Sequence, residues 1–110
     1  MAYDEELAGR LRAALSFIEG VTEKRMFGGL GFMVDGNMVA AASSDGGMML
    51  RVDPARGADL VDGNAVRHVR MHGRDMAGWL SLDPTVVGDE QELSAWLRHG
   101  LSYVATLPAK

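Results

Sequence analysis

The sequence predicts an α+β domain of two layers, an antiparallel or mixed sheet with helices packed on one face. Three observations carry that prediction. Apolar stripes with helical spacing stand at both ends of the chain. Between them, short apolar runs alternate with turns built from Gly, Asp and Asn. No stretch supplies the long crossover that a parallel strand pair requires. The 110 residues fit one domain, residues 1–110, and suffice for a hydrophobic core without metal or disulfide staples.

The elements follow in order. Leu7, Leu11, Ala14, Leu15 and Ile18 recur at spacings of 4, 3, 1 and 3 and form one helical stripe. Asp4, Glu5 and Glu6 sit at its start, where acids favour the positive end of the helix dipole. Gly20 is placed to end the helix in a left-handed conformation. Strands are expected at Leu30 to Val34 and Met38 to Ala42, flanking "DGN" (Asp35 to Asn37), residues that tolerate the positive φ of a tight hairpin. A second turn, "SSDGG" (Ser43 to Gly47), leads into a strand from Met48 to Val52. Asp53 and Pro54 offer an N-cap and a proline at the first helical position, so a short helix runs to about Val61. Arg67 to His72 and Gly78 to Leu82 read as two further strands, with Gly73 to Gly78 turning between them. The last helix starts at Asp89, with Glu92 in capping-box position. Leu93, Trp96, Leu97, Leu101, Val104 and Leu107 give its buried stripe, and Pro108 stops it. The order is α-β-β-β-α-β-β-α.

Composition narrows the function classes. Hydrophobic residues make up 47% and charged residues 24%, an ordinary globular mix. There are no cysteines, which removes disulfides, thiolate catalysis and Cys-based zinc sites. The net charge of −4 and pI near 5.2 disfavour unaided binding to nucleic acid, which calls for a basic face. "MAYDEELAGR" at the N-terminus lacks the basic region of a secretory signal, and no apolar run reaches the roughly 18 to 20 residues of a membrane span. A cytoplasmic protein without a membrane partner is expected.

The stretch "KRMFGGLGF", Lys24 to Phe32, raises the question of a phosphate cradle. A Walker loop needs Lys followed by Ser or Thr after its second glycine, and a Rossmann loop needs a strand before the glycines and a helix after them. Neither pattern is present, and a strand and hairpin follow instead. Gly28, Gly29 and Gly31 are therefore read as relief of crowding where a strand bends or bulges. No cofactor is expected.

His68 and His72 are four apart, but no Glu follows the first and a strand context is expected. On a strand, His68, Arg70 and His72 share one face and Arg67, Val69 and Met71 the other. Arginine between two histidines repels a cation, no third ligand is evident, and no metal is expected. Arg70, His72 and Arg74 form a basic cluster, which Lys24, Arg25 and Arg51 join if their strands are neighbours. Such a patch suits an anionic partner. Aromatic residues that would stack bases are scarce, at 6%. The chain has eight methionines, and those in the expected strands (Met26, Met33, Met38, Met48, Met49, Met71, Met76) are read as adaptable core filling. Ser43, Ser44, Ser81 and Ser94 lack a nucleophile elbow, and no catalytic residue is assigned.

"VTEKRMFGGLGFMVDGNMVA", "GRDMAGW" and "AWLRHGLSYVATLP" together resemble the N-terminal domain of the TfoX/Sxy proteins. "RMFGG" followed by a strand and a "GN" turn, and Gly73 to Trp79, carry the resemblance most specifically. The resemblance implies a two-layer α+β fold, here as a stand-alone domain without the family's helical C-terminal domain. It also implies a bacterial regulator of competence genes that works with transcriptional activators and is not an enzyme. It brings no catalytic or ligand residues. The expected function is thus a small non-enzymatic interaction module acting through protein contacts. Its expected contact surface is Arg70, His72, Arg74 and Trp79, a basic cluster beside a large aromatic. The alternatives are a small-molecule or nucleotide sensor with "FGGLGF" as a pocket wall, and direct DNA binding through the basic patch. Sheet edges also leave a homodimer open.

Overall fold

The computed structural model describes residues 3–26 and 28–110; Phe27, inside the glycine-rich stretch, lies outside the described residues. The chain runs α1 (Glu5–Ala14), β1 (Val21–Met26), β2 (Gly29–Val34), β3 (Asn37–Ala42), β4 (Met48–Arg51), α2 (Gly57–Leu60), β5 (Val66–Met71), β6 (Arg74–Leu82), α3 (Pro84–Val87) and α4 (Glu90–Val104). The six strands form one sheet in the order β1-β2-β3-β4-β6-β5, and every pair is antiparallel. The expected α+β class and order hold, with β1 and α3 added.

Rows of side chains across the sheet build the core. Leu30, Ala42, Met48, Leu82 and Val66 lie in register, as do Phe32, Ala40, Leu50 and Leu80. All are buried, and they meet Leu7, Leu11 and Leu15 from the α1 end of the chain and Leu93, Leu97 and Val104 from α4. Each fully buried Leu or Phe contributes roughly 1.5–3 kcal/mol of hydrophobic stabilisation. Gly100 lets α4 sit directly on the sheet: a β-carbon there would stand 2.8 Å from Leu50 Cδ1 and 3.0 Å from the Arg51 carbonyl oxygen. Arg10 pairs with Glu90 and ties α1 to α4.

The turns follow the residue chemistry. Asp35 and Gly36 both take positive φ (52° and 84°), the two-residue hairpin expected of "DGN". The β3 strand carries one extra residue opposite Phe32 and Met33: Ala40 and Met38 are their partners, and Val39 stands between, fully buried. Asn37, the one buried polar residue of the described chain at 3% exposure, donates from Nδ2 to the Pro108 carbonyl oxygen at 3.0 Å. The Lys110 N–H donates to the Asp35 oxygen at 2.9 Å, so the C-terminal segment is strapped to the β2–β3 turn.

Several boundaries differ from the sequence expectation. Strand β1 was not expected; its middle residues Thr22 to Arg25 are all exposed, so this edge strand shows no alternation. Helix α1 ends at Ala14, not Gly20, and a hydrogen-bonded turn carries Leu15 and Ile18 onto the core. Asp53 caps a turn, accepting from the Ala55 N–H at 2.9 Å, and helix α2 begins only at Gly57. The expected turn from Gly73 to Gly78 is only His72 and Gly73, because both residues take positive φ (54° and 76°) and close a two-residue hairpin. Asp83 caps the short α3 and Asp89 caps α4 through the Gln91 N–H.

Candidate functional site

The β5–β6 hairpin is basic in an acidic chain. From Val66 to Met76 it carries three arginines against one aspartate, while the whole chain stands at −4. Arg70 pairs across the ladder with Asp75, and Met71 with Arg74. The Arg70 Nη2 donates to the Gly73 carbonyl oxygen at 2.8 Å, and its Nη1 lies 3.4 Å from Asp75 Oδ1. Both side chains are more than half exposed, so this pair stabilises the hairpin little and leaves Arg70 available to a partner. Arg74 and His72 are exposed, and among the described residues Arg74 makes no ion pair. Arg70, His72 and Arg74 thus come together at the hairpin tip.

Trp79 is placed elsewhere. It lies in register with Arg51 on β4, and the guanidinium of Arg51 sits 5.4 Å from the Trp79 ring and 5.6 Å from the Tyr103 ring of α4. The two rings hold the cation between them. Trp79 is half-buried in this stack and engages Arg51 instead of the hairpin tip.

The register shifts between His68 and Val69, where β6 carries Ala77 to Trp79 as extra residues opposite β5, while β5 itself runs on without an insertion. His68 is half-buried beneath Gly57 of α2, its Nε2 3.3 Å from where a β-carbon would stand. Lys24 and Arg25 lie on β1, which is not hydrogen-bonded to β5 or β6, and the Arg51 guanidinium lies by the Trp79 and Tyr103 rings.

The face of the sheet away from the helices is concave. Its central row is Gly31, Ala41, Met49, Ser81 and Arg67, all in register. Met26 on one edge strand and Met71 on the other line the same cavity of about 180 Å³, with Gly29, Ala41, Ser43 and Met49, so the sheet curls until its two edges face each other. An adjoining cleft of about 610 Å³ shares Ser43 and Met49 and continues to Arg67, His68, Arg70 and Asp75. The sequence reading placed these methionines in the core, and Met48 is there. Met71 is instead 40% exposed beside the basic tip. No local signal marks this convergence, because the methionines stand on different strands.

The glycines of "FGGLGF" serve the backbone. Gly28 takes φ +76°, and a β-carbon on Gly29 would collide with the Ala42 carbonyl oxygen. The space above Gly31 is filled by the methyl groups of Met38 and Met26, 3.1 and 3.5 Å from the β-carbon position. A third cavity, about 380 Å³ between α2 and α4, is lined by Asp53, Arg56, His99 and Ser102; among the described residues no hydrogen bond joins Ser102 to His99. No group of three or more His, Cys, Asp or Glu among the described residues is placed to hold a metal ion. No helix among them is long and apolar enough to cross a membrane.

Three carboxylates are held ionised below their usual range. Glu23 is lowered by hydrogen bonds from Arg12, at 2.6 and 2.8 Å. Asp62 is lowered by the backbone N–H groups of Val66 and Asn64, and Asp83 by the hydroxyl and N–H of Thr85. All three organise turns or join elements, and none lies at the hairpin tip.

The sequence profile of the TfoX N-terminal domain matches residues 13–103, from the last turn of α1 to the last turn of α4 and across the whole sheet. No curated protein and no solved structure matches the chain.

Proposed function

This chain belongs to the TfoX N-terminal domain family, and we propose that it is a cytoplasmic, non-enzymatic regulatory module that acts through protein contacts at its β5–β6 hairpin. The observation that carries the reading is charge segregation: Arg70, His72 and Arg74 crowd one exposed hairpin of a chain with net charge −4. Such a patch attracts an acidic surface and speeds its encounter. The family resemblance is the one support for a link to transcription.

The test is the R70E/R74E double variant. Both side chains are exposed, so the variant keeps the parent melting temperature, and its affinity for the partner falls roughly tenfold to a hundredfold. Capture from host lysate, run with and without nuclease, identifies the partner. Unchanged capture by the folded double variant removes the hairpin as the contact surface. Capture lost only on nuclease treatment moves the reading to nucleic acid.

A second reading, ligand sensing, is favoured by the cleft of about 610 Å³ on the concave face, within the roughly 300–1,000 Å³ typical of small-molecule sites. A metabolite that binds only the native state raises the melting temperature. A nucleotide and metabolite screen that leaves it unmoved dismisses this reading.

A further inference from the structure

We propose that the basic hairpin tip and the methionine-lined cavity beside it form one docking site for an acidic peptide segment with a single large apolar side chain. The apolar side chain enters between Met26, Met49 and Met71, and the flanking carboxylates meet Arg70 and Arg74. This inference rests on the reading of the hairpin as the contact surface and adds the kind of partner it takes.

Three observations support it. Met71 in the cavity pairs with Arg74 across the ladder, and Arg70 lines the adjoining cleft, which shares Ser43 and Met49 with the cavity. Met71 is also, among the described residues, one of two large hydrophobic side chains left exposed, at 40%. An apolar patch rimmed by charge is the pattern of an interaction surface. The cavity also has the right size and lining. At about 180 Å³ it exceeds the roughly 150 Å³ that houses a benzene ring, so one leucine or phenylalanine side chain fits. Its floor of Gly29 and Ala41 leaves depth, and the three thioethers on its walls adapt to the entering group. Finally, three arginines against one aspartate in the hairpin favour acidic flanks and exclude basic ones, which gives specificity to an apolar anchor that alone has little.

The experiment uses the full chain and a displayed library of random linear peptides. The enriched motif is expected to hold one Leu, Ile, Met, Phe or Trp among Asp and Glu. A synthetic peptide of that motif should shift the methyl resonances of Met26, Met49 and Met71. Ala41→Leu, which raises the cavity floor, and Met71→Ser, at an exposed position, should each weaken it about tenfold, the loss expected of an anchor at an interface. Should Ala41→Leu unfold the chain, Met71→Ser still decides. An acidic motif that is lost with R70E/R74E but is indifferent to Met71→Ser overturns the anchor and leaves the hairpin reading standing. A motif without acidic residues, or no enrichment at all, overturns both.

Discussion

Gly29 has no room for a side chain, because a β-carbon there would meet the Ala42 carbonyl oxygen, which belongs to backbone and cannot move aside. Gly29→Ala is expected to destabilise the fold by about 1–3 kcal/mol, the usual effect of overpacking. Gly31→Ala should cost less, since its nearest neighbour is the mobile methyl end of Met38 at 3.1 Å and the nearest backbone atom, the Lys24 carbonyl oxygen, stands at 3.4 Å. Urea melts of the two variants give the comparison, and equal stability would refute the contact reading. Arg51 offers a second test at this scale. Its guanidinium lies over both Trp79 and Tyr103. Arg51→Met keeps most of the packing and removes the charge, so a loss of about 1–2 kcal/mol is expected. A melting temperature equal to the parent's would show that the rings do not hold the cation. Trp79, which the sequence suggests as a contact residue, is thus also a packing partner of Arg51.

Among the elements, the hairpins were legible and the edges were not. "DGN" announces its turn because Asp35, Gly36 and Asn37 each suit the geometry, whereas the turn at His72 and Gly73 hides behind a histidine in the left-handed region. Strand β1 left no trace because neither face of Thr22 to Arg25 is buried, and burial on one face is what writes alternation into a sequence. Asn37 has a further part in element placement. Its side chain holds the Pro108 carbonyl while the neighbouring turn holds the Lys110 N–H. Asn37→Ala should cost about 1 kcal/mol, the net worth of one hydrogen bond with some penalty for the carbonyl left behind. It should also speed amide exchange at Lys110. Unaltered exchange there would mean that the strap is held by other contacts.

At the scale of the whole molecule, acidity reads out the turns. The folded-state values of Glu23, Asp62 and Asp83 lie below their ordinary 4.5, 3.8 and 3.8. A lowered carboxylate contributes stability that is present above its ordinary value and is lost as pH falls through the folded one. The urea midpoint is therefore expected to hold steady above about pH 5 and to decline below about pH 4. Asp62→Asn with Asp83→Asn should make that decline shallower. An equally steep decline in the double variant would assign acid sensitivity to other groups. The same scale sets the hairpin's basic charge against the acidic total, and it is this contrast, rather than any single arginine, that marks the candidate surface.

Chain order carried the fold class, the helix stripes, the β2–β3 turn and the basic cluster of Arg70, His72 and Arg74, because each rests on contacts among residues near in sequence. Tertiary structure alone decided the rest. Strand β6 pairs with β4, Ala77 to Trp79 form a bulge opposite β5, and the curl of the sheet brings Met26 and Met71 to one cavity. These are consequences of register and twist summed across six strands. No local periodicity records them, since the partners are set by which faces the helices bury and how far the sheet bends to cover them.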